Sequence, residues 1–271
     1  MKKRSLGRLA RNIALCLAAA LAVLIISSIV YAGCFVLRVV GFIAGEVPSG
    51  QAAYSEQFPG VTSLHIHCAV GEIVVRQGSS FCVEAAGAGD GLHTSRSGDS
   101  LTVELEGQGL FSFFSQPVVI VTVPEGTVLE SLTVNAEAGR INLENLQVQR
   151  LAAKTDLGSV QAQGVTAQNS AELEAGLGTL RIRESSLTNP ELKGGLGLVE
   201  YEGALYGYGS AEVGMGALQL SLRGQQADYN ITTDIGIGGS NFTGLPGTAS
   251  AGAAELLLTN GVGSINVQFQ G

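Results

Sequence analysis

From residue 132 to the C-terminus one short pattern returns seven times: an apolar residue, a glycine, then alternating apolar and polar residues. The copies read AGRINL (138–143), LGSVQA (157–162), LGTLRI (177–182), LGLVEY (196–201), MGALQL (215–220), IGGSNF (237–242) and VGSINV (262–267). Their glycines are Gly139, Gly158, Gly178, Gly197, Gly216, Gly238 and Gly263, at intervals of 19, 20, 19, 19, 22 and 25 residues. The residue before each glycine is apolar, from Ala138 and Leu157 through Met215 to Val262. Two residues after it stand Ile141, Val160, Leu180, Val199, Leu218, Ser240 and Ile265, and four after it Leu143, Ala162, Ile182, Tyr201, Leu220, Phe242 and Val267. The position between them is polar, as in Asn142, Gln161, Arg181 and Glu200. Such alternation of inward apolar and outward polar positions marks a half-buried strand.

A second, shorter strand precedes each glycine, with apolar residues seven and five positions upstream: Leu132 and Val134, Leu151 and Ala153, Ala171 and Leu173, Leu256 and Leu258. Gly209/Ala211 is the weak copy. A unit of this size cannot bury its own apolar face, so successive units must stack and share one core. Glycine suits the corner between the two strands, where a tight turn needs φ > 0. The expected fold is all-β: a single-stack β-solenoid with one N-terminal transmembrane helix. An antiparallel sandwich also uses many short strands, but it requires no equivalent residues at a fixed period. Residues 61–130 are less regular than 131–271. Leu64, Ile66, Val70, Gly71, Ile73 and Val75 fit the template as an early turn, and strands are expected at 81–85, 101–105 and 118–123. The loop 107–116 carries Phe111, Phe113 and Phe114, which either cap the solenoid core or touch a membrane or partner.

Stacking turns columns of the sequence into rows of the fold. Four residues before the glycine the column reads Asn135, Lys154, Glu174, Lys193, Glu212, Asp234 and Thr259. In chain order Lys154, Glu174, Lys193 and Glu212 alternate in sign, an expected charge ladder in which Glu174→Lys sets three lysines in line. Some carbohydrate-cleaving β-helices stack acidic residues on such a face, but here lysines interrupt the series and no close acidic pair stands out. The chain has no G-x-S-x-G, phosphate-loop, H-E-x-x-H or C-x-x-C pattern, and it is expected to be non-enzymatic, without catalytic, cofactor or metal residues.

The N-terminus has a different character. From Ile13 to Leu37 there is no charge, a length sufficient to cross a hydrocarbon layer of about 30 Å. The span extends past Arg38 to about Ala44 if that guanidinium snorkels. Lys2, Lys3, Arg4, Arg8 and Arg11 precede it, so the N-terminus is expected inside and the rest outside. The domain reading is a basic cytoplasmic tail (1–12), a transmembrane helix and interface (13–44), a linker (45–60) and an extracytoplasmic repeat domain (61–271). A cleaved signal peptide has a shorter apolar core; a lipoprotein signal at Tyr31-Ala32-Gly33-Cys34 is disfavoured by the apolar Phe35-Val36-Leu37 that follows. Beyond residue 44 nine basic residues face 23 acidic ones, a net −14 that disfavours nucleic acid. Cys68 and Cys82 lie in a compartment that permits a disulfide between them, which spacing alone does not establish. His65 and His67 should share one strand face and Cys68 the other, leaving only His93 to complete a zinc site.

Residues 118–143, VVIVTVPEGTVLESLTVNAEAGRINL, with Val-Thr-Val-Pro-Glu-Gly at 121–126, Leu129, Leu132 and Val134, resemble a bacterial β-strand-repeat family known as "putative adhesin". The resemblance covers roughly residues 60–270. It implies a β-coil behind a membrane segment and carries over no catalytic residues. The expected function is a non-enzymatic, single-pass cell-membrane protein that presents the solenoid to a protein or envelope polymer. The alternatives are an accessory or sensory subunit of a membrane complex and a carbohydrate-active β-helix. Oligomeric state is left open by the sequence.

Overall fold

The computed structural model describes residues 54–107, 117–243 and 253–270, which belong to one compact unit. The expected span 13–44, the tail 1–12 and the three phenylalanines of 111–114 lie outside them. Among the described residues no helix is long and apolar enough to cross a membrane. Thirteen strands among the described residues form one continuous sheet. They are β1 (Tyr54–Gln57), β2 (Ser63–Gly78), β3 (Cys82–Ala86), β4 (Leu92–Ser97), β5 (Ser100–Leu105), β6 (Val118–Pro124), β7 (Val128–Glu144), β8 (Gln147–Gln163), β9 (Thr166–Thr188), β10 (Pro190–Tyr206), β11 (Tyr208–Arg223), β12 (Tyr229–Thr243) and β13 (Ala254–Gln270). Residues 54–57, within the stretch read as linker, are β1, paired antiparallel with β3, and Phe58 enters the core.

From β7 onward each repeat is one rung of the solenoid. The two short strands expected on either side of the glycine run through as a single long strand, paired in parallel with the rungs above and below. The glycines pair only with one another: Gly71 with Gly139, then Gly158, Gly178, Gly197 and Gly216, then Gly263 and Gly238. The positions two and four after the glycine point inward and close a core with the upstream pairs; Ile141, Val160, Leu180, Val199, Leu218 and Ile265 are all fully buried. The residue before the glycine, grouped by sequence with the inward apolar set, points outward instead. Leu157, Leu177, Leu196 and Met215 are about half exposed. The reason lies in the backbone. From Gly139 to Gly263 the column glycines sit at φ between 137° and 145°, which interrupts the two-residue alternation of an extended strand. The chain therefore rounds its corner over four residues that all face out before the next inward position is reached.

Rung order departs from chain order at both ends. At the N-terminal end β2 pairs with β7 on one side; on the other it meets β5 along its first half and β6 along its second. Antiparallel strands then finish this end, β4 on β5 and β1–β3 on β6. At the opposite end β13 inserts between β11 and β12. Side chains explain the exchange. The repeat of β12 offers Thr233 and Ser240 where β13 offers Leu258 and Ile265. A hydroxyl buried without a partner costs about 1–3 kcal/mol. The rung with Leu258 and Ile265 therefore takes the inner place, covered on both sides, where its one buried polar side chain, Asn260, donates to Gly216 O and Ser264 O. The rung with two hydroxyls becomes the outer cap, whose Thr233 and Ser240 reach solvent.

One extra residue is absorbed within the stack. Between the pairs Tyr201↔Ile182 and Gly203↔Ser185 the register shifts, and Glu184 adopts φ 52°. The polar groups this frees are satisfied internally. The buried Ser185 Oγ donates to Arg183 O (2.7 Å) and accepts from Val165 N (3.1 Å), while the Tyr201 hydroxyl lies 3.0 Å from Ser185 O and 2.7 Å from Ala204 O.

Candidate binding surfaces

With the core sealed, recognition chemistry belongs to the outward columns. Six and eight residues before the column glycine, two outward rows flank a cleft of about 460 Å³. One row holds Ser131, Arg150, Ser170 and Asn189; the other holds His65, Thr133, Ala152, Glu172 and Glu191. A second register shift, after Val148, lies beside Arg150. Asn189, at φ 47°, ties the corner across rungs: its Nδ2 donates to Asn169 O (2.9 Å) and its Oδ1 accepts from Tyr208 N (3.1 Å). Tyr208 thereby continues the first row one rung on, 73% exposed, and Tyr206 stands close by in sequence at 54%.

The second surface is the outward apolar row. Val70, Ala138, Leu157, Leu177, Leu196, Met215, Val262 and Ile237 stand in register on eight successive rungs. At about 4.8 Å per rung this ridge runs for roughly 34 Å. Its flank two residues before the column glycine is itself glycine from Gly176 onward, as Gly195, Gly214, Gly261 and Gly236, so charged side chains are absent there.

The charge ladder is realised only in part. Lys154 Nζ meets Glu174 Oε1 at 3.2 Å. Lys193 lies in register between Glu174 and Glu212 but turns along its own rung to Glu191. Asp234 does not follow Glu212 as chain order implied, because the insertion of β13 puts Thr259 between them. Exposed pairs of this kind contribute about 1 kcal/mol or less. Glu174→Lys is therefore expected to lower the thermal midpoint by only a few degrees, measured by circular dichroism; a loss approaching complete unfolding would show the column to be more tightly coupled than its exposure allows. A tighter cluster sits in the column three after the glycine. Arg181 Nε donates to Glu200 Oε2 at 2.7 Å and Arg183 Nη2 to Glu200 Oε1 at 2.9 Å. Burial alone would raise the Glu200 pKa, but the two guanidinium groups outweigh it and hold the carboxyl below its ordinary value. Its contribution to stability is present above the usual carboxylate range and is lost as pH falls through the folded-state value.

Residues 61–237 match the family described as Toastrack DUF4097. The chain belongs to the Toastrack family. Among curated proteins none matches it. Solved structures similar to this Toastrack chain include a "putative cell adhesion protein" from Clostridium sporogenes, 12% identical over 80% of this chain and 98% of that one, with a TM-score of 0.41. Two others are each described as a "putative adhesin". The one from Bacteroides fragilis is 14% identical over 79% and 95% of the two chains (TM-score 0.37), and the one from Parabacteroides merdae 16% over 80% and 95% (0.33).

Within the Toastrack domain Cys68 and Cys82 are free thiols, so the bond between them that the sequence left open is not made. Cys68 points into the core on β2, where burial pushes its pKa up to about 11, and Cys82 lies on β3, 3.7 Å from Ser55 Oγ. His65 and His67 are exposed on the face opposite Cys68; His67 Nε2 lies 4.0 Å from Glu137, and His93 pairs across β4–β5 with Glu104. Two features escape sequence reasoning. The Arg181–Glu200–Arg183 cluster shows in sequence only as adjacent polar positions. The Ser131–Arg150–Ser170–Asn189 row appears only when the eighth position upstream of each column glycine is aligned.

Proposed function

We propose that the chain is a non-enzymatic, single-pass membrane protein that holds its Toastrack solenoid outside the cell as a surface-binding module. The observation that carries this reading is the set of uninterrupted outward rows. Equivalent strand positions repeat at rung spacing along the stack, so the domain displays long outward rows, mixed polar groups beside the cleft and aliphatic side chains along the ridge. The uncharged span 13–37 and its basic flank support the anchor and an N-terminus inside. The test uses the full chain tagged at both ends. Protease applied to intact cells should remove the C-terminal tag and spare the N-terminal one, and the purified chain should co-sediment saturably with isolated envelope fragments. Protection of the C-terminal tag overturns the topology, and absence of co-sedimentation overturns the binding role.

The apolar ridge favours a second reading, an accessory subunit of a membrane complex, because a line of exposed aliphatic side chains suits a protein neighbour better than a hydrated polymer. In that case the envelope interaction is abolished by Leu177→Ser with Leu196→Ser and survives changes in the polar cleft.

A further inference from the structure

The polar cleft on the first arm of the rungs offers a ligand site of definite chemistry. Its walls carry hydroxyls (Ser131, Thr133, Ser170), one guanidinium (Arg150) and two carboxylates (Glu172 and Glu191), and beyond Asn189 the row is continued by the exposed Tyr208, with Tyr206 beside it in sequence. Among the described residues no carboxylate lies within ion-pair distance of Arg150, although Glu172 stands on the neighbouring rung, while Glu191 is already engaged by Lys193. The guanidinium donors and the Glu172 acceptors are thus held side by side rather than spent on each other.

We propose that this cleft binds an extended, uncharged polysaccharide lying along the stacking axis, an assignment that rests on the surface-binding reading above and names its ligand. Three observations select this class. A peptide would need backbone partners, and here the strand N–H and C=O groups that floor the cleft are used in rung-to-rung pairing on both sides. A polyanion meets Glu172 and Glu191 on a domain of strongly negative charge. A chain of sugar hydroxyls, each both donor and acceptor, is satisfied by guanidinium, carboxylate and hydroxyl groups set in rows. The exposed rings of Tyr206 and Tyr208 supply flat apolar faces for the C–H side of a pyranose, with the phenol left free to hydrogen-bond. Asn189 acts as a positioning residue, since its side chain is committed to Asn169 O and Tyr208 N and fixes the start of the tyrosine rung.

The test is calorimetric titration of the full chain, in a detergent without a sugar headgroup, with the hexasaccharides of N-acetylglucosamine and of β-1,4-glucose. Hexagalacturonate and an uncharged Ser/Thr peptide serve as comparison ligands. Saturable binding of a neutral hexasaccharide is expected, weakened roughly tenfold or more by Arg150→Ala and by Tyr208→Ala. Gln219→Ala, on the other arm of a rung, should leave it unchanged, and all three variants should keep the parent thermal midpoint. No binding of either neutral hexasaccharide, binding indifferent to both cleft variants, or preference for hexagalacturonate overturns the proposal. Binding of the peptide that fails in the same variants also overturns it, assigning the cleft to a protein ligand. Envelope co-sedimentation separates the two levels: if it persists in Arg150→Ala and Tyr208→Ala the surface-binding reading stands without the cleft, and if no form of the chain co-sediments both fall.

Discussion

Gly178→Ala is expected to unfold the solenoid around β8–β10, because a Cβ at this position would lie 1.8 Å from the carbonyl oxygen of Gly158 on the rung beneath. That atom belongs to backbone already bonded into the sheet, so no side-chain rotation relieves the overlap, and the rungs must separate. Gly178 also sits at φ 142°, and the strain of a non-glycine residue in such a conformation adds about 1–3 kcal/mol. A total at or above about 4–5 kcal/mol follows, the range reserved for severe backbone or core lesions. In a domain of this size it corresponds to a fall in thermal midpoint of roughly 10–20 °C, or to failure to accumulate as folded protein. Gly126→Ala is the matched control. Gly126 also has positive φ, at 76°, yet nothing lies within 4 Å of its would-be Cβ, so it should lose only a few degrees. Equal tolerance of both substitutions would mean that the glycine column is not stacked.

That column is the part of the fold most legible in the sequence, and its geometry explains why. Since only glycine fits above another glycine's carbonyl at rung spacing, the residue recurs wherever a rung passes the corner, and the apolar positions two and four later are fixed relative to it. Two things are not carried by a single repeat read alone. One is the facing of Leu157, Leu177 and their equivalents: apolar identity suggests burial, but positive φ at the next residue turns them to solvent. The other is rung order. Proximity in the chain favours β12 against β11, and only a comparison of core positions (Thr233 and Ser240 in one rung, Leu258 and Ile265 in the other) shows which rung tolerates an open face.

The candidate cleft was less legible for a related reason. Its members, Ser131, Arg150, Ser170 and Asn189, are ordinary surface residues about twenty apart. They become a row only once the eighth position before each column glycine is aligned, as the pairs Ser131↔Arg150 and Arg150↔Ser170 place them. The alternating charges at 154–212 were easier to see and turn out to matter less, because Lys154 and Lys193 are substantially exposed and one of them prefers a neighbour on its own rung. Periodic charge in a sequence reports which residues share a face; how firmly they bind one another is decided by side-chain reach and solvent.

The claim on which the rest depends is that rungs stack in parallel register, with the last two exchanged. Paired cysteines test it directly. Gln219 and Asn266 are in register on neighbouring rungs, whereas Asn241 lies one rung further, against Asn266. Neighbours about 4.8 Å apart fall within disulfide reach, and residues two rungs apart, about 9.6 Å, do not. Under mild oxidation the full chain carrying Gln219→Cys and Asn266→Cys should form the bond between these two positions, identified by peptide mass mapping, while Gln219→Cys with Asn241→Cys should remain reduced. Cross-linking of the 219–241 pair in place of 219–266 would restore simple chain order and contradict the exchanged cap.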